Sequence, residues 1–329
     1  MADPFNLQTD VVRQHTVPRF LLKHFSTPGK GKRQRLYAFD KAAGRAYATT
    51  PDDATVRNTF YNLDNHPDRL SLEPLLGIYE HHAAPVIAAL LAHRDIRRLT
   101  DDERYRLAVF VAVQRARTFG ELERISGMIS VLTDKMEAIG STKEQAMETL
   151  GLSSGGDTKD IFLRQLVQQV SHIDLLLKKD WYLLETRPER PFYVSDNPVV
   201  LNFGPYGNLG LAVRGIQIYL PLSSTLMLAM YCPSIREQMV RQKQHLQHLL
   251  ARAPHLIPRH IRPFERLEHI RRYTDYLLMP LTPEHVTHYN SLQVEFAEQY
   301  VFCGEKDFSL VERMLADSER YRTGPRFTF

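Results

Sequence analysis

Residues 107–113, LAVFVAV, constrain the fold more than any other stretch of the chain. Their spacing is helical, and Val109, Phe110, Val111 and Val113 leave the helix almost no polar side. A helix apolar nearly all round has to be enclosed by other elements. The capping box Thr100–Glu103 opens it, and the pattern predicts one long helix running on to about residue 132. With 329 residues and 43% hydrophobic content, the chain has enough material to enclose it.

Other segments supply candidates for that shell. LSLEPLLGIYEHHAAPVIAALLAH, 70–93, has helical periodicity, with Pro74 tolerated in the first turn and Pro85 expected to kink or break it. Ser141 and Glu144 form a second capping box, SSGGD at 153–157 reads as a turn, and a further amphipathic helix is expected over about 158–179. The period then changes. DWYLLETRPERPFYVSDNPVVLNF, 180–203, reads as strand, tight turn at RPER, strand. GIQIYLPLSSTLMLAMYCP, 215–233, reads as two strands broken at PLSS. Upstream, 35–49 has the signal of a hairpin around DKAAG, and 50–70 reads as loop. The segment 234–272 is expected to be mostly helical between Pro254, Pro258 and Pro263. A last helix, capped by Thr282 with Pro283 at its first position, is expected to run through Phe302, and the tail GPRFTF to be irregular. Strands segregated from helices imply an α+β fold. The expectation is a helix-rich core with a small antiparallel sheet, built from the N-terminal hairpin and strands within 180–233. No composition break marks a domain boundary, so 1–329 reads as one domain, with a helical subdomain at 70–180 as the alternative.

With 24% charged and 10% aromatic residues, the composition is that of a globular protein. No run of 18 apolar residues is present, so no membrane span is expected. The N-terminus lacks a basic region followed by an apolar one, so no signal peptide is read. The two cysteines, Cys232 and Cys303, form no CxxC pair; a cysteine zinc site is not expected, and a reducing cytoplasm is. Net charge is only +4, yet Arg236–Arg272 holds nine Lys/Arg against three Asp/Glu. With the loop KGKRQR, 30–35, it suits a phosphate-rich partner or, more plainly, a solvated helix face.

Four stretches place polar groups where apolar ones fit the pattern. In QHTVPRFLLKHF, a short helix from Pro18 puts Arg19 in its first turn and His15 just before it, a place that favours an anion. His15 could equally cap that helix while Arg19 pairs with a carboxylate. Glu73 and Glu80 share one helical stripe, and Glu80 suits a metal ligand, a general base or an ion pair. Gln114 and Arg117 share the Phe110 face of the buried helix and must find acceptors, either a carboxylate (Glu80 or Asp196) or a ligand phosphate. Ser195-Asp196-Asn197-Pro198 follows the strand PFYV; Asp196 there is a base, a metal ligand, an orienter of His15, or part of an Asx turn. No P-loop, HExxH or GxGxxG is present.

HTVPRFLLKHF, LYAFDK, LEPLLGIYE, LAVFVAVQRART, PFYVSDNPVV and IYLPLS, taken in order over residues 11–303, resemble the successive blocks of the DUF4238 family, a bacterial and phage-associated group of unknown function. The resemblance implies that these blocks belong together, and no reaction. From the residues themselves, the leading expectation is a phosphodiester hydrolase, most plausibly a nuclease. His15, Asp196 and Glu80 are its catalytic groups, and Arg19, Gln114, Arg117 and Asn197 hold the substrate. Asp196 and Glu80 are its candidate ligands for Mg²⁺ or Mn²⁺. The alternatives are a non-catalytic nucleotide or anion sensor and a structural or interaction protein. Nucleic acid or a nucleotide is the expected partner; the sequence carries no signal for oligomeric state.

Overall fold

In the computed structural model, residues 6–29, 33–63, 70–149, 158–202, 210–258 and 262–326 are described. Residues 30–32 of the basic loop, part of the polar stretch 50–70, the turn at 153–157, Phe203, Arg259, His260 and the tail from 327 lie outside them.

The helix containing LAVFVAV is α3 of the chain, Asp101–Ala116, opened by the Thr100–Glu103 capping box and buried from Leu107 through Gln114. It ends at Arg117. Instead of one long helix there are two, because Thr118 is extended and its hydroxyl accepts from the Glu121 N–H. It thereby caps a second helix, α4, Phe119–Ala138. Before α3 lies α2, Glu73–His93. Pro85 does not break it. Pro85 is on the solvent face, so the carbonyl it leaves unbonded can be hydrated. Among the described residues α2 is the one helix long and apolar enough to cross a bilayer, but Leu76, Ala83, Val86, Ile87 and Leu90 are buried in the core. The first helix, α1, is one short turn-and-a-half, Arg19–Lys23. After α4 come α5, Lys143–Thr149, α6, Thr158–Gln168, and α7, Ile173–Leu177. The cap of α5 is Thr142 with Gln145, one residue later than the Ser141–Glu144 pair. The expected 158–179 helix is interrupted by a 3₁₀ turn at Gln169–His172.

The fold is α+β, and among the described residues the strands divide among three sheets. A five-stranded sheet runs β11-β6-β10-β9-β8. Its members are β6, Asp180–Glu185, β8, Val200–Asn202, β9, Gln217–Pro221, β10, Leu226–Tyr231, and β11, Met279–Pro280. All neighbours are antiparallel except β11 with β6. Both faces are covered, so the strands are apolar throughout. Trp181 donates its indole N–H to the Leu176 carbonyl (2.9 Å) and lies under the Arg104 guanidinium of α3. Tyr182, one residue on, faces the other way, packs edge-to-face with Tyr273 and stacks on Tyr276. Tyr273 belongs to α9, Pro263–Thr274, which packs with α8, Pro233–Arg252, as the two halves of the basic segment.

The second sheet holds the expected hairpin, β3, Gln34–Asp40, and β4, Arg45–Thr49, turned at Gly44 with φ +64°. On its other side β3 pairs with β12, Tyr300–Cys303, which pairs in turn with β7, Val194–Ser195; a two-residue strand β2, Thr27–Pro28, extends that edge. Thus 180–203 is not a hairpin: β6 and β7 belong to different sheets. The last expected helix, α10, Pro283–Phe296, stops short of YVFC, which is strand. A final helix, α11, Ser309–Asp317, packs on α10. The smallest sheet pairs β1, Arg13–His15, with β5, Val56–Asn58, inside what reads as loop.

One continuous core draws on α1, α2, α3, α6, both large sheets and α10, from Val17 to Phe302. A smaller cluster, including Phe39, Tyr193, Val301, Phe308 and Val311, lies under α11.

Candidate functional site

Two buried polar centres flank the α3–α4 junction, and together they account for the blocks QHTVPR, QRART and SDNP. The first is built on Arg117, whose side chain is only 2% exposed. One Nη donates to Glu80 Oε1 (2.6 Å), the other to the His15 carbonyl (2.7 Å), and Nε donates to the Tyr61 hydroxyl (3.2 Å). Tyr61 returns its proton to the Arg117 carbonyl (2.7 Å), satisfying the end of α3. Burial opposes the guanidinium charge, and the Tyr61 and Glu80 partners outweigh it and hold Arg117 firmly protonated. Gln114 donates to the Thr16 carbonyl (3.0 Å), and Gln14, fully buried, bonds Asn62, Ser71 and the Tyr61 N–H. The opening segment is therefore tied to the buried helix through its backbone. Glu73, on the Glu80 stripe, keeps one buried oxygen without a partner among the described residues; burial pushes its carboxyl up to about 7, against the pull of Arg117.

The second centre is Asp196, at the end of β7. Its two carboxylate oxygens accept the N–H groups of Glu298 (2.8 Å), Gln299 (2.8 Å) and Tyr300 (2.9 Å). Burial pushes this carboxyl up to about 6, opposed by the three amides and by Lys41. Lys41, also fully buried, caps the carbonyl end of α10 at Val294 (2.8 Å) and Ala297 (2.6 Å). Asn197 links the two centres: it donates to the Phe296 carbonyl (3.2 Å) and accepts from the Thr118 hydroxyl (3.1 Å), next to Arg117.

The structure thus brings His15, Glu80, Gln114 and Arg117 together, and places Asp196 and Asn197 across the junction. It does not form a His15–Asp196 pair. The His15 ring bonds the Asp52 backbone carbonyl, and the Asp196 oxygens are taken up by amides. Burial lowers the His15 pKa, favouring the neutral ring, whose Nε2 has no partner among the described residues. Arg19 is half-exposed and pairs with Asp52 (3.0 Å). Glu80 and Asp196 each hold other partners, and no cluster of three His, Cys, Asp or Glu suited to a metal ion exists among the described residues, so these two do not fit the Mg²⁺ or Mn²⁺ site expected of them.

The open space lies elsewhere. A cleft of about 240 Å³ is lined by Thr16, Thr49, Asp53, Arg57, Phe119, Asp196 and Tyr300, with Tyr47 at its side. Arg57 lies over the Phe119 ring, 3.4 Å from its centroid, and its guanidinium makes no hydrogen bond or ion pair among the described residues. The cleft's two acids are spent, Asp53 on Arg13 (2.8 Å) and Thr50, and Asp196 on its amides. Tyr47 and Tyr300 bond each other through their hydroxyls, and burial pushes Tyr47 up to about 12, so the phenols stay neutral. Arg57 was not among the sequence candidates: VRNTFYN reads as polar loop, and only the pairing of β5 with β1 aims Arg57 at Phe119.

A sequence model of the DUF4238 family, described as a protein of unknown function, matches residues 13–307. The chain belongs to the DUF4238 family. No curated protein and no solved structure matches it. Both polar centres, His15–Arg117 and Asp196–Asn197, lie within the matched residues of this DUF4238 chain.

Removing one partner of a buried pair strands the other, so Arg117→Met should destabilise the fold by roughly 3–5 kcal/mol. Arg117→Met with Glu80→Met should recover part of that loss in a double-mutant cycle of urea unfolding; strict additivity would show that the pair does not couple. Glu73 titrates higher folded than unfolded, so the folded state binds its proton over the window from about 4.5 to about 7, and stability from this group falls as pH rises through it. Glu73→Gln should therefore raise Tm relative to wild type more at pH 8 than at pH 4.5, with the difference developing across that window.

Proposed function

We propose that the protein is a binding module for a phosphate ester, taken into the cleft beside Arg57. The observation that carries this reading is the Arg57 guanidinium, stacked on Phe119 and facing open space with no acceptor among the described residues. Burial lowers its pKa, as expected of a desolvated cation, but arginine stays charged. A desolvated, unpaired fork of N–H donors suits the planar edge of a phosphate group. Phe119, Tyr47 and Tyr300 supply aromatic surface beside it, the combination that a nucleotide uses through its phosphate and base. Isothermal titration with a nucleoside monophosphate should show binding that weakens at least tenfold in Arg57→Gln, with Tm in the absence of ligand unchanged. Equal affinity in the two proteins would sink this reading.

A second reading, phosphodiester hydrolysis, is favoured by the Glu73 oxygen and the His15 Nε2 near Arg117 that have no partner among the described residues. Glu73, with its pKa near neutrality, is a candidate acid, and neutral His15 a candidate base. Incubation with RNA and DNA, with and without Mg²⁺ or Mn²⁺, should then give cleavage that is lost in Glu73→Gln. Unchanged substrate at high protein concentration removes this reading.

A further inference from the structure

A second arginine cavity lies on the other side of the Asp196–Asn197 loop, and it does not share the Arg57 cleft's lining. It encloses about 150 Å³ between the end of α3, the first turn of α4, β8 and the end of α10. Arg115, Asn197, Val199, Leu201 and Phe296 line it, with Pro325 at one side. Gly120 forms part of the floor, where a Cβ would sit 3.2 Å from Glu298 Cβ and 3.4 Å from the Asn197 amide, so a larger residue would have to press those side chains back.

The charges around this cavity do not cancel. Glu121 is ion-paired with Arg124. Glu298 accepts from Arg326 (2.8 Å) and from the Gly324 N–H (3.2 Å). Asn197 gives one of its two amide N–H groups to the Phe296 carbonyl and carries no charge. Arg115 remains. Its guanidinium makes no hydrogen bond or ion pair among the described residues; Glu121, already paired, is the acid whose field reaches it, and Arg124 opposes that field. The site therefore offers one uncompensated cationic fork and an apolar wall of Val199, Leu201 and Phe296.

We propose that this cavity binds a small amphipathic carboxylate. A carboxylate matches a single guanidinium fork through two parallel hydrogen bonds and neutralises the one charge present. A phosphate dianion would leave oxygens unbonded against the apolar wall, at the cost of burying polar groups without partners. The space is that of one aromatic ring or a short aliphatic chain, since a cavity of roughly 150 Å³ accepts benzene.

The test is calorimetry and thermal shift with benzoate, compared with benzamide and inorganic phosphate. Benzoate should bind and raise Tm, with benzamide and phosphate at least tenfold weaker. Arg115→Gln should weaken benzoate at least tenfold without lowering Tm of the unliganded protein, because it removes a charge that has no partner among the described residues. Leu201→Phe, which keeps Arg115 and fills the cavity, should weaken benzoate comparably. Arg57→Gln should leave benzoate affinity unchanged, which separates this site from the phosphate cleft. No benzoate binding at millimolar concentration, phosphate binding as tightly as benzoate, or full affinity in both cavity variants would overturn the proposal.

Discussion

The rest of the structure depends on one buried guanidinium. Arg117 ends the enclosed helix, and a charge cannot be carried into that interior without acceptors on every side. Its acceptors come from distant parts of the chain: the His15 carbonyl from the opening strand, the Tyr61 hydroxyl from the loop after β5, and Glu80 from α2. Satisfying one side chain therefore fixes where the N-terminal segment enters, how α2 lies along α3, and where the long apolar run stops being one helix. Asp196 performs the complementary task with the opposite sign, gathering three amides between α10 and β12. Thr118 and Asn197 join the two, so the chain's N-terminal and C-terminal parts are referenced to the same junction.

This division of labour bears on function. Most of the groups with conspicuous chemistry in the sequence are occupied by one another; among the described residues, one Glu73 oxygen and His15 Nε2 are not. Two arginines that make no hydrogen bond or ion pair among the described residues, Arg57 and Arg115, each lie next to open space beside the same junction. The polar network borders both cavities: it bonds the Asp196–Asn197 loop to Thr118 at the start of α4 while spending most of its own charges internally. A desolvated cation that the fold leaves unpaired costs stability, and a ligand that supplies the missing acceptor recovers it.

Much of this was legible in the sequence, and the failures have physical causes. The enclosure of α3 follows from Val109, Phe110, Val111 and Val113, and the need of Gln114 and Arg117 for acceptors follows from that enclosure. Glu80 was named as one such acceptor. The break at Arg117–Thr118 was missed because apolar residues continue past it at helical spacing; the signal was Thr118 followed three residues later by Glu121, a cap inside an apolar run. Asp196 was a recognisable turn residue at a strand end, but its amide partners lie about a hundred residues further on, beyond any local pattern. YVFC was absorbed into α10 because a short apolar run has no periodicity of its own. Arg57 and Arg115 were invisible as candidates, since an arginine becomes unusual only when its surroundings fail to pair it, and that is a property of tertiary packing.

The most direct test of the account is a crystal structure of the protein grown with a nucleoside monophosphate. The phosphate should lie within hydrogen-bond distance of the Arg57 guanidinium, in the cleft of Phe119 and Tyr300, with the Arg117–Glu80 pair intact. A phosphate bound to Arg117 in place of Glu80 would contradict it, because the central arginine would then be a ligand-binding group and not the keystone of the fold.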